Sequence, residues 1–389
     1  MKKIKVAQVI TRLDWGGSPD IVRVICTYLD PEVYDITLII GVTKYPNLKT
    51  GEFLKKFGQK ALFIPELKRN INPLSDLAAF LRLYFLFRRK KFDIVHTHTA
   101  KAGALARTAA FLAGTPVIVH TLHGHNFYGY FGPVSSRIVT IIERWFGYLT
   151  DKIIALTELE RKDLISFKAA GSEKIRLIYQ GLEMEGYSGI NIDKHRIRQS
   201  LGIKPDEKVV GMIGRLEPVK GPEYFIAAAK SVAEVFPRVK FILVGEGSLR
   251  EKLEKQMKSL GLEEKFIFTG WREDIPEILS ILDLLVLPSL NEGVGMVLIE
   301  AQGLGVPIVA SRVGGIPEIV RDNQTGILVS AGDADSFAGA IKSLLADENR
   351  RFAMSQEAIK WIKGKFKARD MIEEISKLYQ ELLALKKKL

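Results

Sequence analysis

Residues 283–310 read DLLVLPSLNEGVGMVLIEAQGLGVPIVA, and this stretch decides the fold. An apolar run that closes on Val286 and Leu287 has the composition of a buried strand. Pro288 stops it, because proline has no N–H to offer a neighbouring strand. Asn291, Glu292, Gly293 and Gly295 form a turn, a short helix follows, and a second buried strand ends the stretch. Strand, loop, helix and strand in succession make one unit of a parallel sheet with helices on its faces. The helix also gives the loop a chemistry. N–H groups near Gly295, Met296 and Val297 lie at its N-terminus, unpaired within the helix and at the positive end of its dipole, so the place suits a phosphate.

Glu292 precedes this helix and Glu300 lies inside it, with seven residues between them. Carboxylates repel phosphate, so beside an anion cradle they fit hydroxyl groups that flank it. A nucleotide-sugar carries such hydroxyls on both sides of its diphosphate, on the ribose and on the sugar. The alternative is a solvated helix residue at Glu300 and a capping residue at Glu292.

The same alternation extends outward from this stretch. IKVAQVI, ITLII, LFI, DIVHTH, PVIVHT and KIIAL alternate with helical segments in the first half, as do KVVGMI, VKFILVG, KFIFTG and residues 327–329 in the second. Runs of this β-branched type predict two parallel sheets, each covered on both faces, with ligands at the carboxyl ends of the strands. At the first such end stand Asp14, Trp15, Gly16, Gly17 and Ser18, a glycine turn leading into a helix. The loop GRLEPVKG places Arg215 and Lys220 five residues apart. Arginine offers a planar donor fork and lysine a point charge, a pairing suited to a diphosphate whose charge grows as a bond to it breaks. Residues 245–247 and 270–275 end the next strands and could border a nucleotide base, with a simple turn role equally open for Glu246.

Five of the six histidines fall between His96 and His125. Successive strand residues point to opposite faces, no cysteine joins them and carboxylates are sparse nearby, so no metal site is expected. His96 and His120 read as structural histidines, and His98 and His125 stay open. His123, just after the strand PVIVHT, is the one chosen to meet a sugar. The following HGHNFYGYFGPVSSR is either a packed loop or, through Tyr128, Tyr130 and Phe131, an acceptor contact. The helix LSDLAAFLRLYFLFRRKK ends in four basic residues, Arg88, Arg89, Lys90 and Lys91. They fit a core helix whose end complements its dipole, or a peripheral contact with a membrane.

A chain of 389 residues with 47% hydrophobic content can bury two cores of ordinary size. Its single cysteine, Cys26, excludes an internal disulfide and reads as a small apolar residue on a buried helix face. No secretory signal is expected from the Lys-rich start, and no uncharged run is long enough to span a bilayer. The net charge of +12 is unevenly spread: residues 1–187 hold 27 Lys and Arg against 17 Asp and Glu. Such a bias in the first half points to an anionic partner, of which a membrane surface is preferred and nucleic acid set aside.

The Gly16-Gly17 loop, His123, Arg215 with Lys220, and Glu292 with Glu300 together resemble the retaining glycosyltransferases of family 4, over nearly the whole chain. The resemblance implies an α/β fold of the GT-B type, two Rossmann-like parallel-sheet domains facing across a cleft, with a C-terminal helix returning to the first domain. Its expected domains are residues 1–185, which bind acceptor, 186–365, which bind the nucleotide-sugar, and the helix 366–389. It gives Glu292 to the donor sugar, Glu300 to the ribose, and Arg215, Lys220, Gly16, Gly17 and the N–H groups at Gly295, Met296 and Val297 to the diphosphate. The implied reaction is sugar transfer from a nucleotide-sugar, expected to be a UDP-sugar, to a carbohydrate or lipid-linked acceptor, as in surface polysaccharide or glycolipid synthesis. His123, Glu292, Arg215 and Lys220 would be its catalytic group, with no cofactor and no metal, in a cytoplasmic enzyme peripheral to the inner membrane face. Two positions depart from the family pattern: Val294 stands for the usual Phe, and Pro19 with Asp20 for an acidic-arginine pair. A nucleotide-sugar epimerase and a non-catalytic sugar-nucleotide-binding protein are the alternatives.

Overall fold

Short β-branched runs between helices assemble by parallel pairing, because each crossover helix returns the chain to the same edge direction. The computed structural model describes residues 2–14, 16–43, 48–124, 133–183 and 192–387. It falls into two units, Met1–Gly181 with Ala368–Leu389, and Leu182–Lys367.

The first unit holds β1 (Ile4–Ile10), β2 (Tyr34–Ile40), β3 (Ala61–Phe63), β4 (Ile94–His98), β5 (Val117–Thr121), β6 (Lys152–Ala155) and β7 (Ile175–Leu177). Among the described residues they pair in the order β3-β2-β1-β4-β5-β6-β7, all parallel. Ala7, Val9, Val95 and Ile118 pack on one face against Leu83 and Phe87 of the helix Pro73–Lys90. The last helix, Ala368–Lys387, buries Met371, Ile375, Leu378 and Tyr379 and packs on the helix Gly17–Tyr28. The hydroxyls of Tyr34 and Ser376 tie it to β2 at 2.8 Å.

The second unit repeats the plan with β8 (Lys208–Ile213), β9 (Val239–Val244), β10 (Phe266–Gly270), β11 (Leu284–Leu287), β12 (Ile308–Ser311) and β13 (Gly326–Val329). Their order is β10-β9-β8-β11-β12-β13, again parallel. Val210, Met212, Phe241, Leu284, Val286 and Val309 form its core with Phe225 and Phe337 from flanking helices. Each sheet therefore reverses its strand order once, between β1 and β4 and between β8 and β11, where a doubly wound sheet opens a crevice. The chain enters and leaves the second unit side by side, the Leu182 N–H donating to Phe366 O at 2.9 Å.

The sequence reading passes over the helix Glu158–Ser166 and gives β7 no strand of its own. That helix is mostly charged, and β7 is three residues with an arginine in the middle, so neither shows a strong period.

Candidate active site

In the second unit the loops after β8, β11 and β12 are tied together by backbone. Leu290 N–H donates to Val219 O at 2.9 Å, and Gly315 N–H donates to Glu292 O at 3.1 Å. Gly314 is required at that crossing, since a Cβ there would lie 1.8 Å from Glu292 O, and its φ is 52°. Gly295, at φ 72°, is the left-handed N-cap from which the helix Met296–Gly303 starts. Leu298 N–H already donates to Gly295 O at 2.8 Å. The N–H groups of Met296 and Val297, ahead of the helical ladder, are then the ones aimed out of the helix end.

Lys220 lies in the short turn Pro218–Lys220. Its Nζ pairs with Glu292 Oε2, which also accepts from Ser289 Oγ at 3.3 Å. Both charged side chains are mostly covered, 17% and 12% exposed, so the pair is only thinly screened by water. Arg215 is half-buried in the loop just after β8 and has no side-chain ion pair among the described residues. Glu300 is half-buried in the body of the helix. Glu246 pairs with Arg250 at 3.0 Å, and that guanidinium lies over Phe268, which gives Glu246 a turn-fixing contact.

In the first unit a buried polar chain runs beneath the ends of β1, β4 and β5. Gln8 stands beside His96 in the β1–β4 register, with His98 two residues on and so on the same face. Gln8 Nε2 donates to Tyr379 Oη at 2.9 Å, and Tyr379 meets His96 Nδ1 at 2.7 Å. His96 Nε2 reaches Thr121 Oγ1 at 2.8 Å. From Gln8 Oε1 the chain continues to His98 Nε2 at 2.7 Å, and from His98 Nδ1 to His123 Nε2 at 2.9 Å. His123 Nδ1 faces Gln180 Nε2 at 3.4 Å. His120 is on the opposite face, bonded to Thr97 Oγ1 at 2.8 Å, and its Nε2 is buried without a hydrogen bond. Burial pushes the imidazoles of His96 and His123 down to about 3, with repulsion from His123 adding to the effect at His96, and holds His98 and His120 well below their ordinary value. All four are neutral near pH 7.

His123 has φ 60°, a left-handed backbone that costs a non-glycine residue energy. Glu160, which sequence reasoning did not single out, holds that corner. Its carboxylate accepts from Gly124 N–H at 3.1 Å and from Leu156 N–H at 2.7 Å. The Thr157-x-x-Glu160 spacing of a capping box was the signal available for it. Gln8, Gln180, Ser289 and Tyr379 were likewise not singled out.

Sequence-expected residues thus meet within each unit. Lys220 and Glu292 are paired, and His98, left open by the sequence, is bonded to His123. Gly16 caps its helix at φ 135°, with Asp14 ion-paired to Arg12 at 2.7 Å just before it. Tyr128, Tyr130, Phe131 and His125 lie outside the described residues. Among those described, no three of His, Cys, Asp and Glu are grouped to hold a metal ion. The sequence reading expects no Asp-x-Asp run in the chain, but Asp333-Ala334-Asp335 is one. In the fold Asp333 is an N-cap, accepting from Ser336 N–H at 2.9 Å and from Ser336 Oγ at 2.6 Å.

Two parallel doubly wound units with a terminal helix returned to the first define a GT-B fold, the architecture of nucleotide-sugar-dependent glycosyltransferases. Residues 15–185 match the family model described as Glycosyltransferase Family 4, and residues 193–361 match that of the Glycosyl transferases group 1. The chain belongs to this glycosyltransferase family. It is 33% identical over 335 residues to the Escherichia coli UDP-Gal:alpha-D-GlcNAc-diphosphoundecaprenol alpha-1,3-galactosyltransferase, covering 84% of this chain and 85% of that one. The Staphylococcus aureus capsular polysaccharide biosynthesis glycosyltransferase CapM is 26% identical, over 86% of this chain and 88% of its own. The crystal structure of Anabaena HepE with UDP and glucose shares the fold at a TM-score of 0.84 and 23% identity, covering 97% of this chain and all of that one, 100%.

Proposed function

We propose that the protein is a retaining glycosyltransferase that moves a sugar from a UDP-sugar to a carbohydrate or lipid-linked acceptor in surface polysaccharide or glycolipid synthesis. The observation that carries this reading is the covered Lys220–Glu292 pair beside the open N-terminus of the helix Met296–Gly303. In the free protein Lys220 is neutralised by Glu292. An arriving diphosphate competes for Lys220, joins Arg215 and the N–H groups of Met296 and Val297, and releases Glu292 to a hydroxyl of the sugar. As the bond from the anomeric carbon to the diphosphate oxygen breaks, its electron pair leaves with the diphosphate. The acceptor hydroxyl oxygen bonds to the anomeric carbon on the same face, and the hydroxyl proton passes to the departing diphosphate. The cationic groups then stabilise charge that is greatest in the transition state. Glu300 holds the ribose, Gly16 and Gly17 approach the diphosphate, and His123 meets the donor sugar. The uridine donor and a lipid-diphosphate acceptor are supported by the Escherichia coli relative, whose name contains both.

A membrane-facing acceptor is further supported by an apolar stripe on the helix Pro73–Lys90. Leu74, Leu77, Leu81 and Phe85 recur at helical spacing, and Leu74 is 82% exposed. Exposed Arg88, Arg89, Lys90 and Lys91 follow at its end. On the helix Pro133–Tyr148, Ile138, Ile141, Ile142 and Trp145 form a second such stripe, and the helix Ala100–Leu112 packs against both. Basic residues near an anionic surface contribute about 1 kcal/mol each, so the four together give reversible, salt-sensitive docking. Among the described residues no helix is long and apolar enough to cross a membrane.

A thermal-shift screen of nucleotide-sugars, followed by product analysis with the stabilising donor, tests the reaction. Transfer or slow donor hydrolysis is expected; an epimerised donor or binding without turnover would replace the reading with one of its alternatives. Co-sedimentation with anionic vesicles should fall with salt and when Arg88, Arg89, Lys90 and Lys91 become Gln. Indifference to both would remove the membrane from the proposal.

A further inference from the structure

The neutral polar chain beneath β1, β4 and β5 has a direction. The Gln8 amide donates to Tyr379 Oη, so the tyrosine proton is left to donate to His96 Nδ1. His96, with its proton on Nε2, then donates to Thr121 Oγ1. On the other side, Gln8 Oε1 is an acceptor and fixes the proton of His98 on Nε2. A neutral imidazole with Nε2–H has only a lone pair at Nδ1. His98 Nδ1 therefore accepts, and the 2.9 Å contact to His123 requires the proton of His123 on Nε2. That leaves His123 Nδ1 as the terminal acceptor of the chain, met among the described residues by the long 3.4 Å approach of the Gln180 amide. Gln8, His96, His98 and Tyr379 are fully buried, and His123 is the half-buried end of the chain. No water is needed to complete the chain, and every internal group has a partner.

We propose that Gln8 and His98 are positioning residues that hold His123 as its Nε2–H tautomer, so that it meets the donor sugar as a hydrogen-bond acceptor through Nδ1. The proposal rests on the reading of His123 as the sugar contact and adds the polarity of that contact. A sugar hydroxyl shorter than 3.4 Å from Nδ1 displaces the Gln180 amide and donates its own proton. The same bond to His98 also steadies the left-handed backbone of His123. A donor whose matching position lacks a hydroxyl, such as a deoxy or fluoro sugar, has no proton to give and is disfavoured.

The experiment combines imidazole ¹⁵N NMR with turnover in the full-length protein. Wild type is expected to show pyrrole-type Nε2 and pyridine-type Nδ1 at His123. His98→Leu should mix the tautomers and lower kcat about tenfold, the size of one neutral hydrogen bond, with a smaller change in donor KM. His98→Asn keeps an acceptor and a donor on one short side chain, and should restore both the spectrum and most of kcat. The reverse polarity in wild type, with pyrrole-type Nδ1, overturns the proposal, as does an unchanged spectrum and kcat in a folded His98→Leu protein. Should His98→Leu not fold, His98→Asn alone decides: a wild-type spectrum supports the proposal and a mixed or reversed one overturns it. Full turnover in His123→Ala would remove the sugar contact itself while leaving the tautomer result standing, so the two failures are separable.

Discussion

The two sheets share one topology and differ in where they keep their polar groups. The first buries Gln8, His96, His98 and Thr121 under the ends of β1, β4 and β5, all of them neutral. The second is apolar along β8, β11 and β12, and carries its charges, Arg215, Lys220 and Glu292, on the loops beyond. A neutral network can be fully buried once each group is bonded, whereas a buried charge without its partner costs several kcal/mol. On the proposed reading, the first unit holds a ring still and can use its interior, whereas the second exchanges one ion pair for another on binding and needs loops near water.

The contrast breaks most sharply if the loop charges prove dispensable. Lys220→Ala and Arg215→Ala should each cost about 2 to 4 kcal/mol of barrier, a loss in kcat of about 30- to 1,000-fold, in a protein that stays folded. Near-native turnover in either variant would show that the diphosphate is neutralised elsewhere. A smaller effect, on stability this time, is expected at the crossing of loops. Gly314→Ala drives a Cβ into Glu292 O from a φ of 52°, and should destabilise the second unit by about 2 to 3 kcal/mol in urea unfolding. An unchanged midpoint would mean that the β12 loop can retreat from Glu292.

Acid should single out the first unit. His96 and His123 are pushed down to about 3 in the fold, below the ordinary value of 6.5 that they regain on unfolding. Between these values the unfolded chain holds more protons, so stability present above pH 6.5 is lost as pH falls through the window. The slope is about 1.4 kcal/mol per pH unit for each such histidine. Protection against hydrogen exchange, measured relative to the intrinsic rate at each pH, should therefore fall in β4 and β5 before β8 and β11 as pH drops from 6.5 toward 4. Equal protection in both sheets would contradict the buried neutral network. The smallest expected effect is none at all. If Arg215, Lys220 and the helix N-terminus neutralise the leaving diphosphate as proposed, turnover should persist in excess chelator, and its complete loss with rescue by magnesium or manganese would overturn this.

Much of the second unit could be read directly. Its strands are apolar runs bounded by Pro288 and glycines, and Arg215, Lys220 and Glu292 stand in loops that local pattern marks as strand end or helix start, with Glu300 inside the helix that follows. The Lys220–Glu292 pair could not be read, since it spans 72 residues and depends on how two loops cross. Gly314 escaped notice for the same reason: its demand comes from a backbone 22 positions away, as its contact with Glu292 shows. In the first unit the cluster of histidines was visible, and the two-residue spacing of His96 and His98 put them on one face. What joins them was not visible. Gln8 and Tyr379 are ordinary residues in an ordinary strand and helix, and only the sheet order brings them to the histidines.

The return of the last helix also sets a timetable for synthesis. Gln8 and Tyr379, bonded at 2.9 Å, are 371 positions apart. On the ribosome, domains ordinarily mature from the N-terminus onward. Here the first half emerges early yet must keep Gln8 and His96 without their tyrosine partner until the helix Ala368–Lys387 appears. The second unit, continuous from Leu182 to Lys367, has all its strands in hand before that moment. The first unit is thus completed only after the whole second unit has been made, when Tyr379 arrives to partner Gln8 and His96.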